Sequence, residues 1–336
     1  MVADERYYPR PPFDAEIANA LANKPYAEAP TTYSLIRQFR DDERASEGEA
    51  ARVSRIHNNP AISVSHIRAP GARGDIPILQ LRPASSKRPE VPKPGVVFFH
   101  GGGMVMGTPY FGIAAVSNLI EELDATIFSV DYSLAPESQG LDIVEDCYAA
   151  LEWVASNMSQ LKIDPFQLMV AGVSAGGALA AATALIARDR QGPRLCAQLL
   201  VCPMLDDRCS TVSAVQFQEG PVFNTAGARK AWSWVLGDQS CEDGISPYVA
   251  PGRATDLSDL PEAYIDAGSA EVFRDEAIVY AGKLWEAGVQ AHLHIWGGGC
   301  HGFDAFEAPS NLGAVSTQTR NTWLRVVLGR AKRYPE

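Results

Sequence analysis

The chain has 336 residues, 46% of them hydrophobic, and a formal net charge of −11. That much apolar material can bury a large core, which excludes a disordered or fibrous protein. Its acidic balance, with no basic cluster beyond Arg330-Ala-Lys-Arg333, offers little to a phosphate backbone, so nucleic acid is excluded as a natural partner.

The first residues, Met1-Val-Ala-Asp-Glu-Arg, are charged and lead into Tyr-Tyr-Pro-Arg-Pro-Pro with no apolar h-region. No secretory signal is expected, and the expected location is cytoplasmic. Up to about residue 55, Tyr7, Tyr8, Phe13, Leu21, Tyr33, Leu35, Ile36 and Phe39 fall on short predicted helices. Strands are then predicted near 62–68, 76–82, 95–100, 125–131, 167–172, 197–203, 262–268 and 290–296. Helices are predicted near 112–123, 142–157, 176–189, 271–287 and 314–332. The alternation predicts an α/β protein with a mostly parallel sheet covered on both faces. Arg82 to Gly95, with four prolines, reads as an exposed turn. Residues 206–249 interrupt the alternation and carry a predicted helix at 227–236 with Trp232, Trp234 and Leu236. Leu168 to Ala187 is long and apolar enough to raise a membrane span. The turn in its middle divides it into a buried strand and a buried helix instead.

That turn is Gly172-Val173-Ser174-Ala175-Gly176, a serine at the apex of a strand–turn–helix. Glycines two positions to either side permit a turn too tight for Cβ atoms, so the serine hydroxyl stands clear at a helix N-terminus as a nucleophile elbow. Alone the pentapeptide is a weak signal. Its partners give it weight. Upstream, His100-Gly101-Gly102-Gly103 ends the apolar strand Val96 to Phe99 and frees backbone N–H groups to face a cleft. The N–H groups of Gly102, Gly103 and Ala175 are the candidate oxyanion hole. No G-K-[ST] follows to make it a phosphate loop.

Six histidines can supply a general base. His57 and His66 precede the chemistry-bearing motifs, His100 belongs to the glycine loop it can hold by hydrogen bonds, and His292 and His294 share one face of a strand. His301, in the loop Gly297-Gly-Gly-Cys-His301-Gly-Phe-Asp304 after the last strand, is the candidate. The orienting acid should fall between serine and histidine, in Gly268-Ser-Ala-Glu271-Val-Phe-Arg-Asp275-Glu276. Glu271 lies in the loop itself; Asp266 ends the strand, and Asp275 and Glu276 sit in a first helical turn where carboxylates complement the dipole. Spacing alone leaves Glu271 and Asp275 both open.

These motifs, with Asp131-Tyr-Ser-Leu-Ala-Pro-Glu137, Val144-Glu-Asp-Cys147, Ser246-Pro-Tyr248 and His301-Gly-Phe-Asp304, resemble the hormone-sensitive-lipase-like carboxylesterase family of α/β hydrolases. The resemblance implies an eight-stranded α/β-hydrolase core with a helical cap. Residues 1–55 and 206–249 would form the cap, and 56–205 and 250–336 the core. It implies a serine hydrolase cleaving small, apolar carboxylic esters, with Glu271 as the acid, no metal or organic cofactor, and a small-molecule ester or lactone as substrate. A homodimer is a modest expectation. Lactonase, natural-product acetyl esterase and acyltransferase chemistry would use the same residues; a non-catalytic receptor would lack the histidine this chain keeps. Met104, Phe217 and Phe223 are the candidate substrate-pocket residues. The chain departs from the family pattern at Val173, at Ser133 in place of an arginine, and at Gly140-Leu141 in place of Phe-Pro. Cysteines 147, 196, 202, 209, 241 and 300 show no metal spacing and are expected to be reduced; Cys300, beside His301, is the one at risk of modification, with buried inertness its expected state.

Overall fold

The computed structural model describes residues 8–22, 32–86, 88–239, 244–306 and 310–330; Tyr7, Cys241 and Arg333 lie outside them. Among these residues the strands are β1 (Ile62–Gly71), β2 (Gly74–Pro83), β3 (Lys93–Phe99), β4 (Thr126–Val130), β5 (Ile163–Val173), β6 (Ala197–Val201), β7 (Glu262–Gly268) and β8 (Ala291–Trp296). They pair in the order β1-β2-β4-β3-β5-β6-β7-β8. β2 is antiparallel to β1 and β4, and every later pairing is parallel. Each strand expected from the sequence is present.

Strands β3, β4 and β6 are buried at every position because both faces of the sheet are covered there, whereas the edge strands β1 and β8 are mostly only partly buried. Successive side chains of β3 take opposite sides: Val97 and Phe99 join one core and Val96 and Phe98 the other. Helices α1 (Ala15–Leu21), α2 (Tyr33–Ala45) and α3 (Glu47–His57) precede the sheet. The side chains of Thr32 and Ser46 cap α2 and α3 by accepting from Leu35 N and Glu49 N. Next come α4 (Asn118–Leu123), α5 (Leu141–Ser156), α6 (Met158–Leu161), α7 (Ala175–Asp189), α8 (Val212–Gln216), α9 (Thr225–Leu236), α10 (Arg274–Glu286) and α11 (Asn311–Arg330). α5, α7 and α10 pack in the Val97 core; α4 and α11 pack in the Val96 core. α7 is buried from Ala175 to Ala187, which is why its composition is small and apolar on every side.

Three local expectations change. The helix read over 112–123 is a 3₁₀ turn (Ile113–Ala115) followed by α4, because Gly112 enters with φ 76° and Asp124, at φ 64°, ends the segment in the left-handed region. The helix read from 271 starts at Arg274, the turn before it being occupied by Glu271. The turn read over 82–95 is buried at its end: Lys93 already opens β3 and is buried against Asp124.

α1 packs Ile17 and Leu21 against Cys300 and Phe303. α8 and α9 lie between β6 and β7, and α9 sends Trp232 into the main core with no exposed surface. No helix among the described residues is long and apolar enough to cross a membrane. Trp232→Ala is expected to cost about 3–5 kcal/mol, seen as a lower urea midpoint with an unchanged m-value.

Candidate active site

Ser174 sits where β5 turns into α7, at φ 56° and ψ −120°, and its side chain makes no capping bond to the helix. The turn is tight enough that a Cβ on Gly172 would lie 2.0 Å from Gly176 O, and one on Gly176 would lie 2.0 Å from Phe99 O. Backbone bonds fix the apex: Ser174 N donates to Val201 O at 2.8 Å, and Met204 N donates to Ser174 O at 3.1 Å. Val173 is an apolar brace, seated where a Cβ on Gly112 would come within 2.3 Å of it.

The Ser174 hydroxyl lies 3.0 Å from His301 Nε2, and His301 Nδ1 lies 2.6 Å from Glu271 Oε2. A carboxylate acceptor on one side assigns the ring proton to Nδ1, leaving Nε2 free to accept from the hydroxyl. Glu271 is fully buried, and its other oxygen accepts from Gly268 N at 3.0 Å. Phe273 meets the imidazole edge-on at 5.2 Å, with Phe223 at 5.5 Å. Burial works against a charge on His301, while the Cys202 sulfur and the Glu271 carboxylate favour it, and the balance raises its pKa above the ordinary value. Burial also raises the Cys202 thiol, keeping it protonated at neutral pH, so Glu271 is the charge that holds the imidazolium.

The remaining acids lie elsewhere. Asp275 accepts from Ser213 N at 2.7 Å and pairs with Arg274, turned to α8. Glu276, expected to complement a helix dipole, is buried and accepts from Leu205 N and Asp206 N at 3.0 and 3.1 Å; burial drives its pKa up. Asp266 shares the buried Arg320 guanidinium with Asp304, at 3.1 and 2.7 Å. Arg320 thereby ties the strand leading to Glu271 to the loop carrying His301. The two loops also touch directly: Ala270 N donates to Gly299 O at 3.0 Å, and a Cβ on Gly268 would lie 1.9 Å from that oxygen.

In the glycine loop, the His100 ring stacks on Tyr132 at 4.2 Å, and its Nδ1 donates to Gly101 O at 2.8 Å. Tyr132 OH donates to His100 O at 2.7 Å. Burial lowers the His100 pKa to about 4, so this ring is neutral. Gly102 and Gly103 take φ of 109° and 65°, and Gly102 O accepts from Val105 N and Met106 N. Among the described residues, the N–H groups of Gly102, Gly103 and Ala175 donate to no protein acceptor.

Of the three candidate pocket residues, only Phe223 has its ring beside His301. Met104 is buried in the main core, and Phe217 is buried beneath the Arg10 guanidinium, 5.7 Å from its ring centroid. His57 bonds Tyr110, His292 pairs with Glu262, and His294 stacks between Tyr264 and Trp296. The cysteine near the imidazole is Cys202 as well as Cys300; Cys300 is fully buried. Nothing in the sequence marks Cys202, which is brought in from the end of β6. The five described cysteines form no disulfide with one another, and no cluster of metal-ligating side chains occurs among the described residues. Ser133, where the family pattern has an arginine, donates its N–H to Asp146, whose other oxygen pairs with Arg73 from the β1–β2 turn.

A mostly parallel eight-stranded sheet with a serine at its central strand–helix turn is an α/β-hydrolase fold. Residues 96–305 match the family model of that fold. The chain is 35% identical over 235 residues to esterase LipI of Mycobacterium tuberculosis, covering 70% of this chain and 73% of that one. With carboxylesterase NlhH of the same organism it shares 38% identity over 208 residues, covering 60% of this chain and 63% of that one. It superposes on esterase LipW from Mycobacterium marinum with a TM-score of 0.84 and 30% identity, over 97% of this chain and 99% of that one. A bacterial heroin esterase gives a TM-score of 0.83 and 31% identity, over 94% and 98% of the two chains. The chain belongs to the hormone-sensitive-lipase-like carboxylesterase family of the α/β-hydrolase superfamily.

Replacing Arg320 by Met leaves two buried carboxylates without their cation and is expected to cost about 3–5 kcal/mol. Arg320→Lys should recover part of this, and chemical denaturation of the two variants checks it.

Proposed function

We propose that this protein is a carboxylic-ester hydrolase that works through an acyl-enzyme on Ser174. The observation that carries the reading is the unbroken line Ser174 Oγ to His301 to Glu271, at 3.0 and 2.6 Å. The Ser174 oxygen adds to the ester carbonyl while its proton passes to His301 Nε2. The carbonyl π electrons move onto oxygen, where the N–H groups of Gly102, Gly103 and Ala175 receive the charge. Collapse of this intermediate breaks the bond to the alkoxy oxygen, and His301 hands it the proton. Water repeats the sequence, its proton going to His301 and then to Ser174 as the acyl group leaves as a carboxylic acid. Glu271 fixes the ring tautomer and balances the imidazolium charge.

Small, apolar esters suit the aromatic surround of Phe223 and Phe273 at the imidazole. The esterase names of the relatives support the reaction class. Residues 1–55 and 206–249 are assigned as a two-part cap. α1 against the His301 loop and Phe223 from the second piece beside the imidazole support that division.

Ser174→Ala should stay folded and lose kcat on p-nitrophenyl butyrate by on the order of 10⁶-fold. A fluorophosphonate should label the native chain, with the phosphorus–oxygen bond forming at Ser174 as fluoride leaves, and should not label the variant. Retained turnover or labelling in Ser174→Ala would falsify the assignment.

Only neutral imidazole accepts the serine proton, so kcat/KM should rise with pH through the His301 titration. Because the pKa is raised, the acid limb should lie above the ordinary imidazole value of about 6.5. Glu271→Gln removes the stabilising charge and should move that limb to lower pH while reducing kcat. A pH–rate profile of both proteins decides it, a limb that does not move counting against Glu271.

A further inference from the structure

The glycine loop must hold its free N–H groups within a few tenths of an ångström of one point, yet its sequence makes it soft. Gly101, Gly102, Gly103 and Gly107 lie within seven residues, three of them at positive φ. Glycine carries the largest backbone entropy of any residue, so such a loop wanders unless it is tied from outside. Its internal ties are few: Gly102 O accepts from Val105 N and Met106 N.

The external ties come from α2 and α3. Arg40 Nε donates to Val105 O at 2.7 Å, and its Nη2 donates to Ala135 O at 2.6 Å. Ala135 N in turn donates to Met104 O at 2.8 Å, so Arg40 grips the loop both directly and through its neighbour. Glu43 Oε2 accepts from Gly107 N at 3.0 Å, and Glu49 Oε1 accepts from Thr108 Oγ1 at 2.5 Å. Arg52 bridges the two carboxylates at 3.7 and 2.8 Å and lies over the Phe111 ring, which packs against Gly101. The Arg40, Glu43 and Glu49 side chains are about nine-tenths buried, at 11%, 12% and 8% exposure. Burying charge is costly unless it is hydrogen-bonded, and here much of that bonding is spent on the backbone of one loop.

We propose that α2 and α3 are a clamp that fixes the oxyanion loop, with Arg40 and Glu43 as positioning residues for the reaction at Ser174. The inference rests on the esterase reading above and gives the N-terminal segment a second task besides covering the substrate. The clamp takes Val105 O and Gly107 N of the loop directly, and the N–H groups of Gly102 and Gly103 are left for the carbonyl oxygen. Loosening the clamp therefore reduces stabilisation of the oxyanion and leaves binding of the neutral ester almost untouched. That effect falls on kcat and not on KM.

The experiment uses the full chain and compares Arg40→Met, Glu43→Ala, Glu43→Gln and Glu137→Gln. The readouts are kcat and KM for p-nitrophenyl butyrate, thermal melting, and inhibition by an aryl trifluoromethyl ketone. That ketone adds Ser174 Oγ to its carbonyl carbon, sends the serine proton to His301 and leaves its oxygen as an oxyanion. Arg40→Met and Glu43→Ala should lower kcat by about 10- to 100-fold with KM changed by less than about twofold. The same factor should appear as weaker ketone inhibition, which a loss of stability alone would not produce. Glu43→Gln keeps an acceptor for Gly107 N–H and should recover most of kcat. Glu137→Gln, which removes the charge of the exposed residue paired with Arg40 and Tyr33 but keeps an acceptor, should stay near the native rate. Unchanged kcat and ketone inhibition in Arg40→Met overturn the proposal, even if Glu43→Ala fails to fold. So does a rise in KM alone in either variant. A native chain inert to both ester and fluorophosphonate would instead remove the esterase reading, and this inference with it.

Discussion

The hydrogen bond from Ser174 to His301 depends on backbone packing against backbone at the carboxyl ends of the strands. β5 can turn under Ser174 only because Gly172 and Gly176 leave no Cβ between the turn, α7 and the end of β3. The loops after β7 and β8 approach just as closely at Gly268 and Gly299. These contacts bring three side chains from distant parts of the chain into one line, and any methyl group inserted there would push the line apart. Ser174 itself sits at positive φ, a conformation that disfavours side chains and is held by the bonds to Val201 and Met204.

Charge is buried around this line in ways that differ in purpose. Glu271 divides its two oxygens between an imidazole and a backbone amide. Glu276, the third residue of α10, spends both oxygens on the backbone after β6 and so supports the segment that receives Ser174. Asp266 and Asp304 share Arg320, which joins β7 to the His301 loop through a helix from the far end of the chain. A buried ion pair is weak evidence for stability, because desolvation offsets much of its attraction. Its value here is geometric, since each pair joins elements that must not drift relative to one another.

The N-terminal helices extend the same logic. α1 lies on the loop that carries His301, and α2 and α3 lie on the glycine loop. One segment outside the sheet therefore touches two of the loops that bear the candidate chemistry.

The strand count, the α/β class and the family were legible in the sequence, since apolar periodicity and short motifs are local properties. So was the position of Ser174, because a tight turn needs its own glycines. Val173 against Gly112, Arg73 paired with Asp146, and Cys202 near His301 were not legible, each pairing residues separated by far more chain than any motif spans. The choice between Glu271 and Asp275 shows the division most directly. Both are acids a few residues apart in one loop-to-helix segment; loop position and the family resemblance favoured Glu271, while spacing alone left Asp275 open. Only the three-dimensional path of the chain turned Glu271 inward to the imidazole and Asp275 outward to α8, because side-chain direction after a strand is set by the packing of the next helix and not by spacing.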